Sequence, residues 1–189
     1  MNIGLYFGSF NPIHIGHLII AKYIANNTDL EQIWFVISPQ NPLKTKGSLL
    51  NKYHRKYLID IAITGENKLK SSTIEFNLPV PSYTIDTLTY LKDKHPDYIF
   101  SVIMGSDSLQ NITRWKNYEM LTQNYQLIVY ERPGFKTENN FGKNVIPLKA
   151  PLLDISSTKI REMIKKGESI RFLVPDAVKE EIEKNHYYN

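Results

Sequence analysis

The chain has 189 residues, 42% hydrophobic and 22% charged, the size and balance of one soluble domain that buries roughly 70% of its unfolded surface and needs no disulfide or structural metal. It contains no cysteine, which excludes thiolate zinc sites, iron–sulfur clusters and thiol nucleophiles and fits a reducing compartment. With 23 basic against 19 acidic side chains the net charge is +4, a modest excess that favours anionic small ligands over nucleic acid, although Lys159, Arg161, Lys165, Lys166 and Arg171 do crowd into one short stretch.

Periodicity predicts a buried first strand over 2–7 ending at Gly8, then a helix over 16–27 with Leu18, Ile19, Ala21, Ile24 and Ala25 at helical spacing, then a strand over 31–38. A proline-containing, lysine-bearing loop over 39–47 leads to a helix capped near Asn51 and running to Ile63, and to a strand over 69–76. Further on come a helix over 82–94 opened by Ser82 and Thr84, a central strand over 98–104, a helix over 114–124 and a strand over 126–131. A polar connection over 133–144 precedes a short strand over 145–148 and helices over 156–166 and 176–184. Strands alternating with helices imply a Rossmann-like α/β domain, its sheet mostly parallel with helices on both faces. We read 1–189 as one domain, with 150–189 a helical C-terminal part. No apolar run approaches the roughly 20 residues that span a bilayer, and the first residues lack the pattern of a secretory signal, so the expectation is a cytoplasmic protein that meets no membrane. The glycosylation sequons at Asn26 and Asn111 are then chance matches.

In such sheets ligands bind beyond the C-terminal strand ends, which directs attention to 8–17, 105–107 and 154–161. Neither a P-loop nor a G-x-G-x-x-G fingerprint is present. The segment GSFNPIHIGH offers another way to handle phosphate. Gly8 allows close backbone approach, Pro12 stiffens the turn, and His14 and His17 lie three apart where a helix begins, with Gly16 between them leaving the crevice open. Two histidines at this spacing are also compatible with surface positions. A zinc site lacks a third ligand at suitable spacing, so no metal ligands are assigned. Ser156, Ser157 and Thr158 open a second helix with Arg161 one turn on, which is either an ordinary cap with a basic face or a second anion site.

GSFNPIHIGH, containing His14-Ile15-Gly16-His17, resembles the first signature of the HIGH-motif nucleotidyltransferases, and ISSTKIR (155–161) resembles their second. PSYTIDTL (81–88), GSDSLQNITRW (105–115) and IRFLVPDAV (170–178) narrow the resemblance to the bacterial nicotinate-nucleotide adenylyltransferases, over nearly the whole chain. Two places differ from that family's pattern: Asn11 stands where an aspartate is usual, and NPLK (41–44) stands for PPHK while keeping Lys44.

The resemblance implies adenylyl transfer from ATP to nicotinate mononucleotide in NAD biosynthesis, with magnesium entering as the ATP complex and no nucleic acid involved. It makes His14, His17 and Arg161 the catalytic candidates. Gly8, Ser9, Phe10, Gly16, Gly105, Asp107, Ser156, Ser157 and Thr158 become candidates for ATP, with Asp107 reaching a ribose hydroxyl. Lys44, Ser82, Tyr83, Thr84 and Trp115 become candidates for the acceptor, with Trp115 stacking on the pyridine ring. A sister adenylyl- or cytidylyltransferase with another phosphate acceptor, and an inactive nucleotide- or RNA-binding module, are the alternatives.

Overall fold

The computed structural model describes residues 1–40, 49–135, 142–151 and 153–189. The expected loop around NPLK, and Lys44 with it, lies outside the described residues. Six strands, β1 (Asn2–Gly8), β2 (Gln32–Ile37), β3 (Leu69–Ser72), β4 (Ile99–Gly105), β5 (Gln126–Tyr130) and β6 (Val145–Leu148), form one sheet in the order β3-β2-β1-β4-β5-β6. All five pairings are parallel, so each strand must be followed by a crossover, and the helices fall on both faces.

Period-two alternation divides the sheet's side chains between two cores. Tyr6, Phe35, Ile103 and Ile128 point to one face and pack with Ile24 of α1 (Ile15–Asn27), Leu58 of α2 (Lys52–Ala62), Ile160 of α6 (Ser157–Lys165) and Val178 of α7 (Asp176–Lys184). Leu5, Val36, Val102 and Leu127 point to the other and pack with Leu88 of α3 (Thr84–Lys94), Leu109 of α4 (Ser106–Gln110) and Leu121 of α5 (Tyr118–Asn124). Each such aliphatic side chain taken out of water contributes roughly 1.5–3 kcal/mol, which fixes the strand register because a one-residue slip would exchange the two faces.

Three expected elements change shape. The strand expected over 69–76 ends at Ser72 and is followed by a single tight turn, Ile74–Asn77, that carries the Glu75 side chain inward to 1% exposure. The helix expected over 114–124 begins only at Tyr118, because Asn117 takes the left-handed conformation (φ 51°) in front of it. The helix expected from Ser82 begins at Thr84 with Tyr83 at the cap position, and the Ser82 hydroxyl is used elsewhere. The short α4, directly after β4, had no counterpart in the pattern of apolar residues.

Sheet order reverses direction between β1 and β4, whose connections leave toward opposite edges. Their C-terminal ends, Gly8 and Gly105, flank a crevice, the position where open α/β sheets bind ligands.

Candidate active site

The turn after β1 is built around an aromatic floor. Phe10, 2% exposed and at a positive φ of 44°, sends its ring back beneath Gly8, where a Cβ on Gly8 would stand 2.8 Å from the ring's Cζ. The ring meets Tyr6, Phe35 and His17 edge-on, with centroids 5.7, 5.3 and 5.1 Å away. A non-glycine residue at positive φ costs of order 1 kcal/mol, and this buried packing holds it there.

Helix α1 then starts on an unusual capping box in which both partners are imidazoles. The His17 amide donates to His14 Nδ1 (3.4 Å) and the His14 amide donates to His17 Nδ1 (3.3 Å). The rings stack at 3.6 Å between centroids with 24° between their planes. Because both Nδ1 atoms accept from the backbone, a ring proton is assigned to each Nε2, and both residues line the cleft. Burial, and less so the charge of Arg132, lowers the His14 pKa from 6.5 to about 4, so His14 is a neutral donor at physiological pH. Gly16 makes room for this arrangement: a Cβ there would stand 3.0 Å from His14 Nδ1.

The second signature is joined to the first by direct bonds. Ser156 caps α6 by accepting from the Lys159 amide (3.2 Å), Ser157 Oγ donates to the Pro12 carbonyl (2.9 Å), and Arg161 Nη1 donates to the Asn11 carbonyl (2.7 Å) while Nη2 reaches Thr158 Oγ1 (3.3 Å). The three hydroxyls expected to face a ligand are therefore engaged in the fold. What this helix start offers outward is its dipole end, the Ser157 and Thr158 amides and the rest of the Arg161 fork. Asn11 Oδ1 accepts from the Leu50 amide at 3.1 Å, an acceptor role that an aspartate at this position would fill equally well.

At the opposite end of the cleft stand α3 and Trp115. Glu75 accepts from Ser82 Oγ (2.6 Å) and from Thr87 Oγ1 (3.0 Å), clamping the segment that leads into α3 to the helix's first turn. The Asp86 and Thr87 amides both bond the Tyr83 carbonyl, so those of Thr84 and Ile85 are the donors the helix start turns outward. Lys116 spans this end, with Nζ 2.8 and 2.9 Å from the two Asp86 oxygens and 5.1 Å above the Tyr83 ring. Trp115 is half-buried, packing against the second core on one side and lining the cleft on the other.

One cleft of about 1050 Å³ joins all of this. Gly8, Ser9, Phe10, His14, Gly16, His17, Ser82, Tyr83, Thr84, Gly105, Asp107, Trp115, Ser156, Ser157, Thr158 and Arg161 all line it. Glu75, Arg114 and Arg132 line it too and were not singled out in the sequence. Arg132 lies two residues beyond β5, outside the three segments that the strand-end argument singled out, and its Nη1 donates to Asp107 at 3.2 Å. That pairing gives Asp107 a partner the sequence did not indicate. Glu75 had no signal, since a lone acidic residue in a strand-like run reads as solvent-facing. Among the described residues no three histidine or carboxylate side chains group as metal ligands, and no helix is long and apolar enough to cross a membrane.

This fold and site define an α/β nucleotidyltransferase, with two helix starts and their basic side chains meeting over the sheet's switch point. A family model described as cytidylyltransferase-like matches residues 5–163. The chain is 50% identical over 191 residues to the probable nicotinate-nucleotide adenylyltransferase of Flavobacterium psychrophilum, covering 100% of this chain and 99% of that one, and 35% identical over 186 residues to that of Bacillus licheniformis, covering 98% and 97%. Among solved structures, Plasmodium falciparum nicotinic acid mononucleotide adenylyltransferase complexed with NaAD matches with a TM-score of 0.85 at 27% identity, over 99% of this chain and 97% of that one. The chain belongs to the cytidylyltransferase-like family and, within it, to the nicotinate-nucleotide adenylyltransferases.

Proposed function

We propose that this protein transfers the adenylyl group of ATP to nicotinate mononucleotide, giving nicotinate adenine dinucleotide and pyrophosphate. The observation that carries the reading is the direct bonding of the two signatures, Ser157 to Pro12 and Arg161 to Asn11, which sets the His14 and His17 rings and the α6 start around one end of the cleft while α3 and Trp115 bound the other.

In the reaction a phosphate oxygen of the mononucleotide attacks the α-phosphorus of ATP in line. The bond from that phosphorus to the bridging oxygen breaks, and pyrophosphate leaves with the electron pair. The protein's part is positioning and charge stabilisation. Neutral His14, with His17 stacked on it, donates from Nε2 to oxygens of the α- and β-phosphates, and the α6 amides and Arg161 stabilise the charge growing on the leaving group. Arg132, held by Asp107, adds a second guanidinium on the same side. Magnesium would travel with the triphosphate, held by phosphate oxygens and water. At the acceptor end, the outward amides of Thr84 and Ile85 suit the nicotinate carboxylate, with Trp115 offering its ring to the pyridine. The cytoplasm, where ATP is abundant, is the matching location.

Pyrophosphate release measured across a panel of nucleoside triphosphates and acceptors tests this. ATP with nicotinate mononucleotide should give the highest specificity constant, preferred over nicotinamide mononucleotide by at least about tenfold, because an amide NH₂ turned toward an N–H donor leaves a buried group unpaired. Equal constants for the two mononucleotides would refute the acceptor assignment, and a preference for CTP would refute the adenylyl one.

A further inference from the structure

Helix α2 places an arginine on its apolar face. Arg55 is fully buried beside Leu58 and Ile59, yet it is not among the residues that line the cleft. Its guanidinium spends its donors on backbone carbonyls from three separate segments: Ser9 (2.5 Å), Ser38 (2.9 Å) with Pro39 (3.5 Å), and Leu50 (2.9 Å). Burying a cation is costly, and a well-packed apolar side chain often stabilises a core as well or better, so core packing alone does not account for this group. The shape it enforces does. Ser9 belongs to the turn between Gly8 and His14. The Leu50 amide holds Asn11 of the same turn, and the Asn11 carbonyl in turn receives Arg161. One bond network thus runs from Arg55 through the phosphate-facing turn to the second signature. Burial lowers the Arg55 pKa to about 10, which leaves it charged at physiological pH and keeps these bonds charge-assisted.

We infer that Arg55 is a positioning residue for the nucleotide end of the cleft: through the Ser9 and Leu50 carbonyls it sets the turn that meets the triphosphate, without touching the ligand. This rests on the function proposed above. The acceptor end is outside its reach, since Ser82, Thr84 and Trp115 stand on elements held by Glu75 and Lys116.

The test is calorimetric titration of α,β-methylene-ATP and, separately, nicotinate mononucleotide into wild type, Arg55→Lys and Arg55→Met, with thermal melts of each. Methionine fills the space without a buried charge; lysine keeps the charge but can reach fewer of the carbonyls. The ATP analogue's dissociation constant should rise at least about tenfold in Arg55→Met and less in Arg55→Lys, because the turn that meets the triphosphate is no longer held ready for it. The mononucleotide's constant should move less than about twofold, as expected of an independent site. Unchanged analogue affinity in folded variants, equal weakening of both ligands, or loss of a cooperative melt in both variants would overturn the inference, the last by making Arg55 a strut of the whole fold. A wild type that binds neither ligand would overturn the proposed function, and with it this inference.

Discussion

His14 and His17 are at once the cap of α1 and the donors aimed at the ligand, so their spacing of three residues has a mechanical origin: only N-cap and N3 can exchange backbone bonds in this way. Their chemistry follows from which nitrogen the backbone occupies. His14 has a consequence for stability. Its folded pKa of about 4 lies below the ordinary 6.5, so between those values the unfolded chain takes up a proton that the folded chain refuses. Stability should therefore fall as pH drops through that window, by about 3 kcal/mol in all. Denaturant unfolding at pH 7 and pH 4.5 should show a smaller acid loss in His14→Gln than in wild type, and equal losses would contradict the buried neutral ring. His17→Ala should lower turnover by at least about 100-fold and, because the ring also accepts the His14 amide in the α1 cap, cost roughly 1 kcal/mol of stability; near-normal turnover would remove His17 from the chemistry. Both histidines were legible as a motif, but the tautomer and the lowered pKa were not. The tautomer follows from the exchanged cap bonds, and the lowered pKa from burial and from Arg132, 118 positions from His14 in the chain.

At the scale of elements, α1 and α6 act as one unit because Ser157 and Arg161 bond carbonyls of the turn preceding α1, whereas α3 is fixed separately by Glu75. Truncating that clamp should affect only its own end of the cleft. Glu75→Ala leaves the Ser82 hydroxyl without its partner and Thr87 with only the Tyr83 carbonyl, and should cost roughly 1–3 kcal/mol of stability. It should also erode the preference for nicotinate over nicotinamide mononucleotide while the KM for ATP changes little, a split that steady-state kinetics on both acceptors will read. A proportional loss on ATP would argue against two separately held ends. The caps show what local sequence could reveal. Asn51 and Ser156 cap α2 and α6 as their positions before apolar-periodic runs indicate, each side chain accepting from an amide in the first turn of its own helix. Ser82 looked the same in sequence, but a buried carboxylate takes its hydroxyl, and the helix starts two residues later. The break before α5 was hidden for a similar reason: the left-handed Asn117 follows a segment whose helical pattern is unbroken, and Trp115, expected within a helix, instead faces the cleft from an extended residue.

Over the whole molecule, the parallel sheet and its two helical faces follow from alternation of strands and helices, and the chain's strand order puts every selected site residue within the described structure at one end of the sheet. The pairing of distant cations with that end, Arg132 from just past β5 and Arg55 from beneath the first turn, comes only from the folded topology. The central claim is that the bond broken in ATP is the one between the α-phosphorus and its bridging oxygen to the β-phosphate, with the mononucleotide as acceptor. It is tested most directly by incubating the protein with nicotinate mononucleotide and ATP labelled at either the α- or the γ-phosphorus, then separating the products. The account predicts α-label in nicotinate adenine dinucleotide and γ-label in pyrophosphate, in equal amounts. Label in orthophosphate or free AMP, or a mononucleotide left unconsumed, would contradict it.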